Sequence, residues 1–364
     1  MAAALRVGFV IDGQTPRWPR VWQWLLGCPS SSSVAQMRFG WIAKTLNLDS
    51  ARQVRYGIFK PWERYDAVVF LKSMDEASQR LAESLRQRGT RILFDVNVDY
   101  FTPAEGTFYY DGMAPTPGQT ANARRMAGLA DALIADSSHL AGIGAKHHAR
   151  VRWIPDNVHW PLVPPYQPWK REGKLPLLWS GEAVKLFELL RIEPVLRKFA
   201  AHVRLVLVTN SLVALDRWFD PWKSRFEQLL ASVEHEIIPF RSVAELLPIY
   251  ARGGVFISPR FLDNTYNWGH TEWKITLPMA CGRVAFGSPL PSYADVARRS
   301  GGAGLRLCED DPAWNAGFEE VLSGRFDFGA EEQAARGVVE KFYRTEVVAR
   351  AHHEYLAEVC AAGH

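Results

Sequence analysis

The stretch from Val255 to Phe286 constrains the chain more than any other. An apolar run, Val255 to Ser258, is followed by the polar segment Asn264-Thr-Tyr-Asn-Trp-Gly-His-Thr-Glu. A helical pattern then carries Lys274 in its first turn and ends at Gly282, before a second apolar run, Val284 to Phe286. Strand, loop, helix and strand in this order make a parallel crossover unit. Such a unit places free backbone N–H groups and the positive end of a helix dipole at the carboxyl edge of a sheet. With the Lys274 charge added, that edge suits a diphosphate.

The same grammar runs along the whole chain. Apolar runs at Arg6–Asp12, Val54–Phe59, Ala67–Leu71, Arg91–Asp95, Ala132–Ala135 and Val151–Ile154 read as strands. Helices are expected from Ser31 through Leu46, from Asp75 to Arg88 with Gly89 as its stop, and from Ser138 to Lys146. Continuous apolar strands separated by helices predict a parallel sheet covered on both faces. Five prolines between Trp160 and Pro176 mark a linker. The alternation then restarts, with strands at Leu177–Ser180, Val203–Val208, Glu236–Ile238, Val255–Ser258, Val284–Phe286 and Leu305–Leu307 and a helix over Leu186–Phe199. At 364 residues the chain exceeds one ordinary core. Two doubly wound α/β domains follow, with ligands expected at the carboxyl ends of the strands and in a cleft between the domains.

Composition narrows the class. The sequence holds no uninterrupted apolar stretch near the ~18 residues of a membrane span, and its N-terminus lacks the pattern of a signal peptide. Four scattered cysteines read as reduced thiols, so a cytoplasmic setting is expected. A net charge of +4, without a Lys/Arg run, does not point to nucleic acid. Trp18, Trp22 and Trp24 cluster near Arg17 and Arg20. Ordinary packing accounts for that cluster, while peripheral contact with a membrane surface stays open. No Walker lysine, Gly-x-Gly-x-x-Gly fingerprint or Gly-x-Ser-x-Gly elbow is present. The pairs His147-His148 and His352-His353 are adjacent, and neighbours on a helix diverge too far to chelate one ion.

From Leu178 onward the chain resembles the donor domain of the GT-B glycosyltransferases, closest to glycosyltransferase family 4. That family writes its helix Lys-Leu-x-Glu-x-Met-Ala-x-Gly-x-Pro-Val-Val, and here Lys274-Ile-Thr-Leu-Pro-Met-Ala-Cys-Gly-Arg-Val-Ala-Phe aligns with it. Ala132-Leu-Ile-Ala-Asp-Ser-Ser, Val151-Arg-Trp-Ile-Pro-Asp-Asn-Val and Leu178-Trp-Ser-Gly181 resemble further landmarks in order. The resemblance implies a GT-B fold of two Rossmann-like domains facing across a cleft. The domains would span 1–165 and 166–344, with the last helix, 345–364, crossing back to the N-terminal domain. In that segment Val347, Val348, Ala351, Tyr355 and Leu356 fall at helical spacings. It also implies transfer of a sugar from a nucleoside-diphosphate donor to an acceptor hydroxyl, with retention and without a metal. The acceptor would be a glycan, a lipid-linked sugar or a small molecule. A nucleotide-sugar epimerase of the same fold and a non-catalytic sugar-nucleotide-binding protein are the alternatives.

Family members carry two glutamates at the positions of Gly269 and Leu277, and neither is kept here. Glu272 is the nearby carboxylate that could substitute for the first, or could favour the helix N-terminus. Donor-binding expectations fall on Gly181, Lys185, Asn210, Asn267, Trp268, Gly269 and Lys274. Catalytic expectations fall on Asp95, Asp99, His270 and Glu272, the first two in Asp95-Val-Asn-Val-Asp99 at a strand end. Asp12, Gly13 and Arg38 are expected on the acceptor side. Each has a plainer reading: a solvated lysine, a turn glycine, a capping aspartate, a surface arginine. No cofactor and no metal site is expected, because Asp-x-Asn-x-Asp lacks the glycine and glutamate of a calcium loop.

Overall fold

Strands form where the apolar runs predict them. A computed structural model describes residues 5–11, 33–49, 54–240 and 242–362. Asp12, Gly13, Trp18, Trp22 and Trp24 lie outside these residues. The described chain forms two compact units.

The first unit holds six parallel strands: β1 (Leu5–Ile11), β2 (Val54–Ile58), β3 (Ala67–Leu71), β4 (Arg91–Val96), β5 (Ala132–Ala135) and β6 (Val151–Trp153). Their order is β2-β1-β3-β4-β5-β6. Every residue of β3 and β5 is buried, as expected of strands covered on both faces. The helix Glu76–Gln87 starts at Asp75, whose side chain accepts from the Ser78 N–H, and Gly89 follows its end at φ +83°. Strand periodicity does not mark the helix Pro117–Leu129, but its N-terminus is written in the sequence. Thr116 and Gln119 exchange side-chain and backbone bonds there in a capping box.

The second unit holds β7 (Leu175–Gly181), β8 (Val203–Thr209), β9 (His235–Pro239), β10 (Val255–Ser258), β11 (Val284–Gly287) and β12 (Leu305–Leu307), all parallel, in the order β12-β11-β10-β7-β8-β9. The expected linker reached Pro176, but β7 begins at Leu175 and takes that proline into the sheet. The expected α-helix over 186–199 is in fact two elements. A 3₁₀-helix runs Ala183–Ile192 and an α-helix Glu193–Lys198. Pro194 explains the break, since it has no N–H to continue the ladder from the preceding turn and fits only a helix start.

Chain order and unit membership diverge at two places. Residues Glu105–Ala114 belong to the second unit together with Trp160–Lys341. They bridge Gly106 to Asn264 and Tyr110 to Trp218, and Tyr109 stacks on Phe187 and Phe261. The helix Thr345–Ala361 belongs to the first unit and packs into its apolar cluster with Val7, Phe9 and Ile42. Its buried face is Thr345, Val348, Ala349, His352, Tyr355, Leu356 and Val359. Val347, expected on that stripe, is instead 37% exposed. Among the described residues no helix is long and apolar enough to cross a membrane.

Candidate active site

In each sheet the strand order reverses once, between β1 and β3 and between β7 and β10. Chains leaving the two flanking strands diverge there and open a crevice at the carboxyl edge. In the second unit, β7 ends at Gly181 and β10 at Ser258, and a cluster of charges gathers at these ends.

Its centre is Glu188, 1% exposed on the 3₁₀-helix Ala183–Ile192. One carboxylate oxygen accepts from Nη1 of Arg260, just beyond β10. The other accepts from Lys274 Nζ at 3.3 Å. Lys274 is the second residue of the helix Trp273–Ala280, and its ammonium lies 4.2 Å from the Trp179 ring centroid on β7. Burial lowers the Lys274 pKa to about 7; Glu188 opposes that shift, and the charges of Arg260 and Lys185 add to it. Gly181 leaves room for the ammonium: a Cβ there would stand 3.3 Å from Lys274 Nζ and 3.0 Å from the Trp179 ring.

Lys185 supplies a third cation, 5.5 Å from the Tyr266 ring centroid. The Tyr110 and Lys185 side chains donate to the Tyr266 hydroxyl. Burial alone would raise the Tyr266 pKa; the Lys185 charge and these bonds, with Arg260 adding to them, bring it below its ordinary value. Residues from four separate stretches thus meet at one sheet edge: 105–114, 181–188, Arg260, and 266–274.

The other sequence-derived donor residues build this edge. Asn210 Oδ1 accepts from the Ala183 N–H at 2.7 Å and so starts the 3₁₀-helix. Asn267 is fully buried, donating from Nδ2 to the Phe261 carbonyl and from its N–H to Asn264 Oδ1. Asn264 thereby caps the short helix Thr265–Trp268, the turn role its sequence suggests. Trp268 is 39% exposed and donates from Nε1 to the Leu262 carbonyl. Gly269 closes that helix at φ −82°, a conformation open to any residue. The His270 ring meets the Tyr266 edge at 4.8 Å, and its carbonyl accepts from Ser292 Oγ. Glu272 is buried at the N-cap of Trp273–Ala280, and its carboxylate makes no capping bond to that helix.

In the first unit the expected residues lie at a different edge. Arg38 sits on a π-helical turn, Gln36–Gly40, which leads into the helix Trp41–Leu48. It is not at the surface but 1% exposed. Nε and Nη2 donate to both oxygens of Asp95, at 3.1 and 2.8 Å. Nη1 donates to the Ile154 carbonyl and to Asp156. Burial would lower the Arg38 pKa, but Asp95, Asp156 and Asp136 outweigh it and hold the guanidinium charged. Asp95 is fully buried at the end of β4, committed to this fork. Asp99 accepts from the N–H groups of Phe101 and Thr102, an Asx turn. His147 stacks on Phe101, and His148 bonds the Arg150 backbone. Among the described residues, no group of three His, Cys, Asp or Glu side chains is placed to hold a metal ion.

Glu188 and Arg260 escaped the sequence reading. A signal for Glu188 exists: Glu182, Lys185, Glu188 and Arg191 recur every third residue through an otherwise apolar run. At three residues per turn they share one face, whereas an α-helix would spread them. Arg260 carries no local signal.

No protein-family model matches the sequence, and a search of curated proteins finds no match. Solved structures do match. HepE from Anabaena in complex with UDP superposes with a TM-score of 0.66 at 8% identity, over 97% of this chain and 100% of that one. A glycosyltransferase from Rickettsia africae gives 0.65 at 9% identity, over 99% of each chain. Sucrose-phosphate synthase from Thermosynechococcus elongatus gives 0.58 at 16% identity, over 82% of this chain and 74% of that one. At these identities the likeness is one of fold, and the fold is GT-B: two Rossmann-like units, each on a six-stranded parallel sheet.

Proposed function

We propose that this chain is a glycosyltransferase that moves a glycosyl unit from a nucleoside-diphosphate sugar to an acceptor hydroxyl. One observation carries the reading: Arg260 and Lys274 share Glu188, with Lys185 beside them against Tyr266, at the carboxyl ends of β7 and β10. With Lys274 protonated, three cations against one buried carboxylate leave two positive charges unmatched. A sugar diphosphate diester brings two of opposite sign. HepE, with the same fold, was solved with UDP and with UDP-glucose, which supports a nucleotide-sugar donor here.

In the reaction the bond between the anomeric carbon and the diphosphate oxygen breaks, and a bond to the acceptor oxygen forms. The acceptor proton leaves with the diphosphate or to a nearby base. The barrier lies in charge building on the departing diphosphate. Lys274 and Arg260 are held where that charge appears, in a site that need not reorganise. We assign His270, beside Tyr266, and the buried Glu272 to the sugar end of the donor. Asp95 and Arg38 neutralise each other and organise the edge of the first sheet. Independence from metal is part of the proposal, because the cations can match the diphosphate charge, and retention of configuration is part of it through the resemblance to glycosyltransferase family 4.

The test is a thermal-shift screen of UDP, GDP, CDP, dTDP and ADP in EDTA, followed by product analysis with the matching sugars. At least one diphosphate should raise the melting temperature. Absence of any shift would overturn the donor site, and a strict need for Mg²⁺ or Mn²⁺ would overturn the metal-free reading.

A further inference from the structure

Glu188 is a buried acid among three cations, on a helix whose other faces are apolar. A carboxylate is an odd neighbour for a diphosphate, because it repels the ligand. Its geometry supplies a reason. Each oxygen takes a different cation, Arg260 on one and Lys274 on the other. Both belong to the connection from β10 to β11, Arg260 at its start and Lys274 on its helix, and Glu188 bonds to both from a separate element. Around them stand Lys185 on the helix of Glu188, Tyr266 on Thr265–Trp268, Tyr110 from the segment 105–114, and Tyr293 on the helix Pro291–Ser300. Glu182, on the same 3₁₀ face, is exposed to solvent. Burial of Lys274 works against its charge, and Glu188 is the group that works for it.

We propose that Glu188 is a positioning residue for the donor diphosphate: its shared carboxylate fixes Arg260 and Lys274 side by side and keeps both present as cations before the donor arrives. The proposal rests on the donor-site reading above. Glu188 acts through the two cations and does not touch the ligand. Without it, Lys274 would shed its proton more readily in its buried setting, and a neutral amine contributes little to binding a diphosphate.

The experiment titrates the diphosphate that gives the largest shift in the screen, for instance UDP, into wild type and Glu188→Gln from pH 6 to 9. Wild-type affinity should decline as pH rises, because the protonated lysine is the binding form. In E188Q this decline should begin at lower pH. Affinity should be reduced about tenfold or more at pH 8, the scale of one charged hydrogen bond, and should recover toward wild type at pH 6. Recovery at low pH separates a lost counter-charge from a damaged fold. Glu188→Asp, which withdraws the carboxylate by one methylene, should move the decline the same way by less, and serves if E188Q does not fold. Equal affinity and an unmoved pH profile in either folded variant would overturn the role of Glu188 alone. No diphosphate binding by wild type at any pH would overturn the donor site with it.

Discussion

Lys274 Nζ stands 4.2 Å from the centre of the Trp179 ring, so an ammonium from one crossover helix is seated on an aromatic face at the end of β7. The ring's negative face attracts the cation without competing for its three hydrogens. Glu188 takes one of them at 3.3 Å. The others remain for the phosphate oxygens of the proposed donor.

Lys274 should therefore matter to turnover more than to folding. Lys274→Ala is expected to melt near wild type and to lose roughly a hundredfold or more in kcat, the scale of one lost transition-state donor. Lys274→Arg, which cannot deprotonate, should bind nucleotide with an affinity flat from pH 6 to 9. Undiminished turnover in a folded alanine variant would return Lys274 to a structural role.

Gly181 is where the backbone makes way for that ammonium. It adopts φ +154°, a region that disfavours side chains, and an added Cβ would press on the Trp179 ring at 3.0 Å. Gly181→Ala should cost about 1–3 kcal/mol in urea unfolding and should weaken diphosphate binding as well. A variant as stable and as tight-binding as wild type would show that the ring and the lysine shift freely.

The Arg38–Asp95 fork should be central to the stability of the first unit. Both partners are buried, and Asp156 shares the same guanidinium. Arg38→Met leaves these carboxylates without that counter-charge and should cost about 3–5 kcal/mol, measured by denaturant unfolding. Arg38→Lys should recover only part of this, since an ammonium cannot make the two-pronged contact. A loss below about 1 kcal/mol would mean that the acids find equivalent partners.

His352 makes the fold acid-sensitive. It is fully buried, stacks on Phe9 and packs edge-on to Tyr56, and among the described residues neither ring nitrogen has a hydrogen-bond partner. Burial, with Arg38 and His353 adding to it, lowers its pKa from 6.5 to about 3. The unfolded chain thus takes up a proton below pH 6.5 that the folded chain refuses until about pH 3. Stability should fall with pH across that window, at about 1.4 kcal/mol per unit from this group. His352→Phe should flatten the slope and hold neutral-pH stability. An unchanged acid slope in the variant would assign the effect to other groups.

Local chemistry made much of this protein legible. Apolar runs such as Ala67–Leu71 and Val255–Ser258 announce buried parallel strands, because a strand covered on both faces has no polar side to show. Asp75, Ser137 and Asn264 announce helix starts, because a capping bond spans three residues. Lys274 could be placed at a sheet edge for the same reason, since its loop and helix are contiguous in the chain. What joins it to a site is not contiguous. Glu188 and Arg260 lie 72 residues apart in sequence, and they meet because β7 and β10 are neighbours in the sheet. Arg38 reads as an acceptor-side or surface residue from its helix alone, and only β4 and the turn after β6 bring Asp95 and Asp156 to it. Residues 105–114 precede the linker yet pack with the second unit, because their aromatic side chains find their partners, Phe187, Trp222 and Phe261, only there. Periodicity and capping act over a few residues, so sequence carries them. Strand order and the pairing of buried charges are decided by which distant surfaces exclude water together, and only the folded chain brings those surfaces into contact.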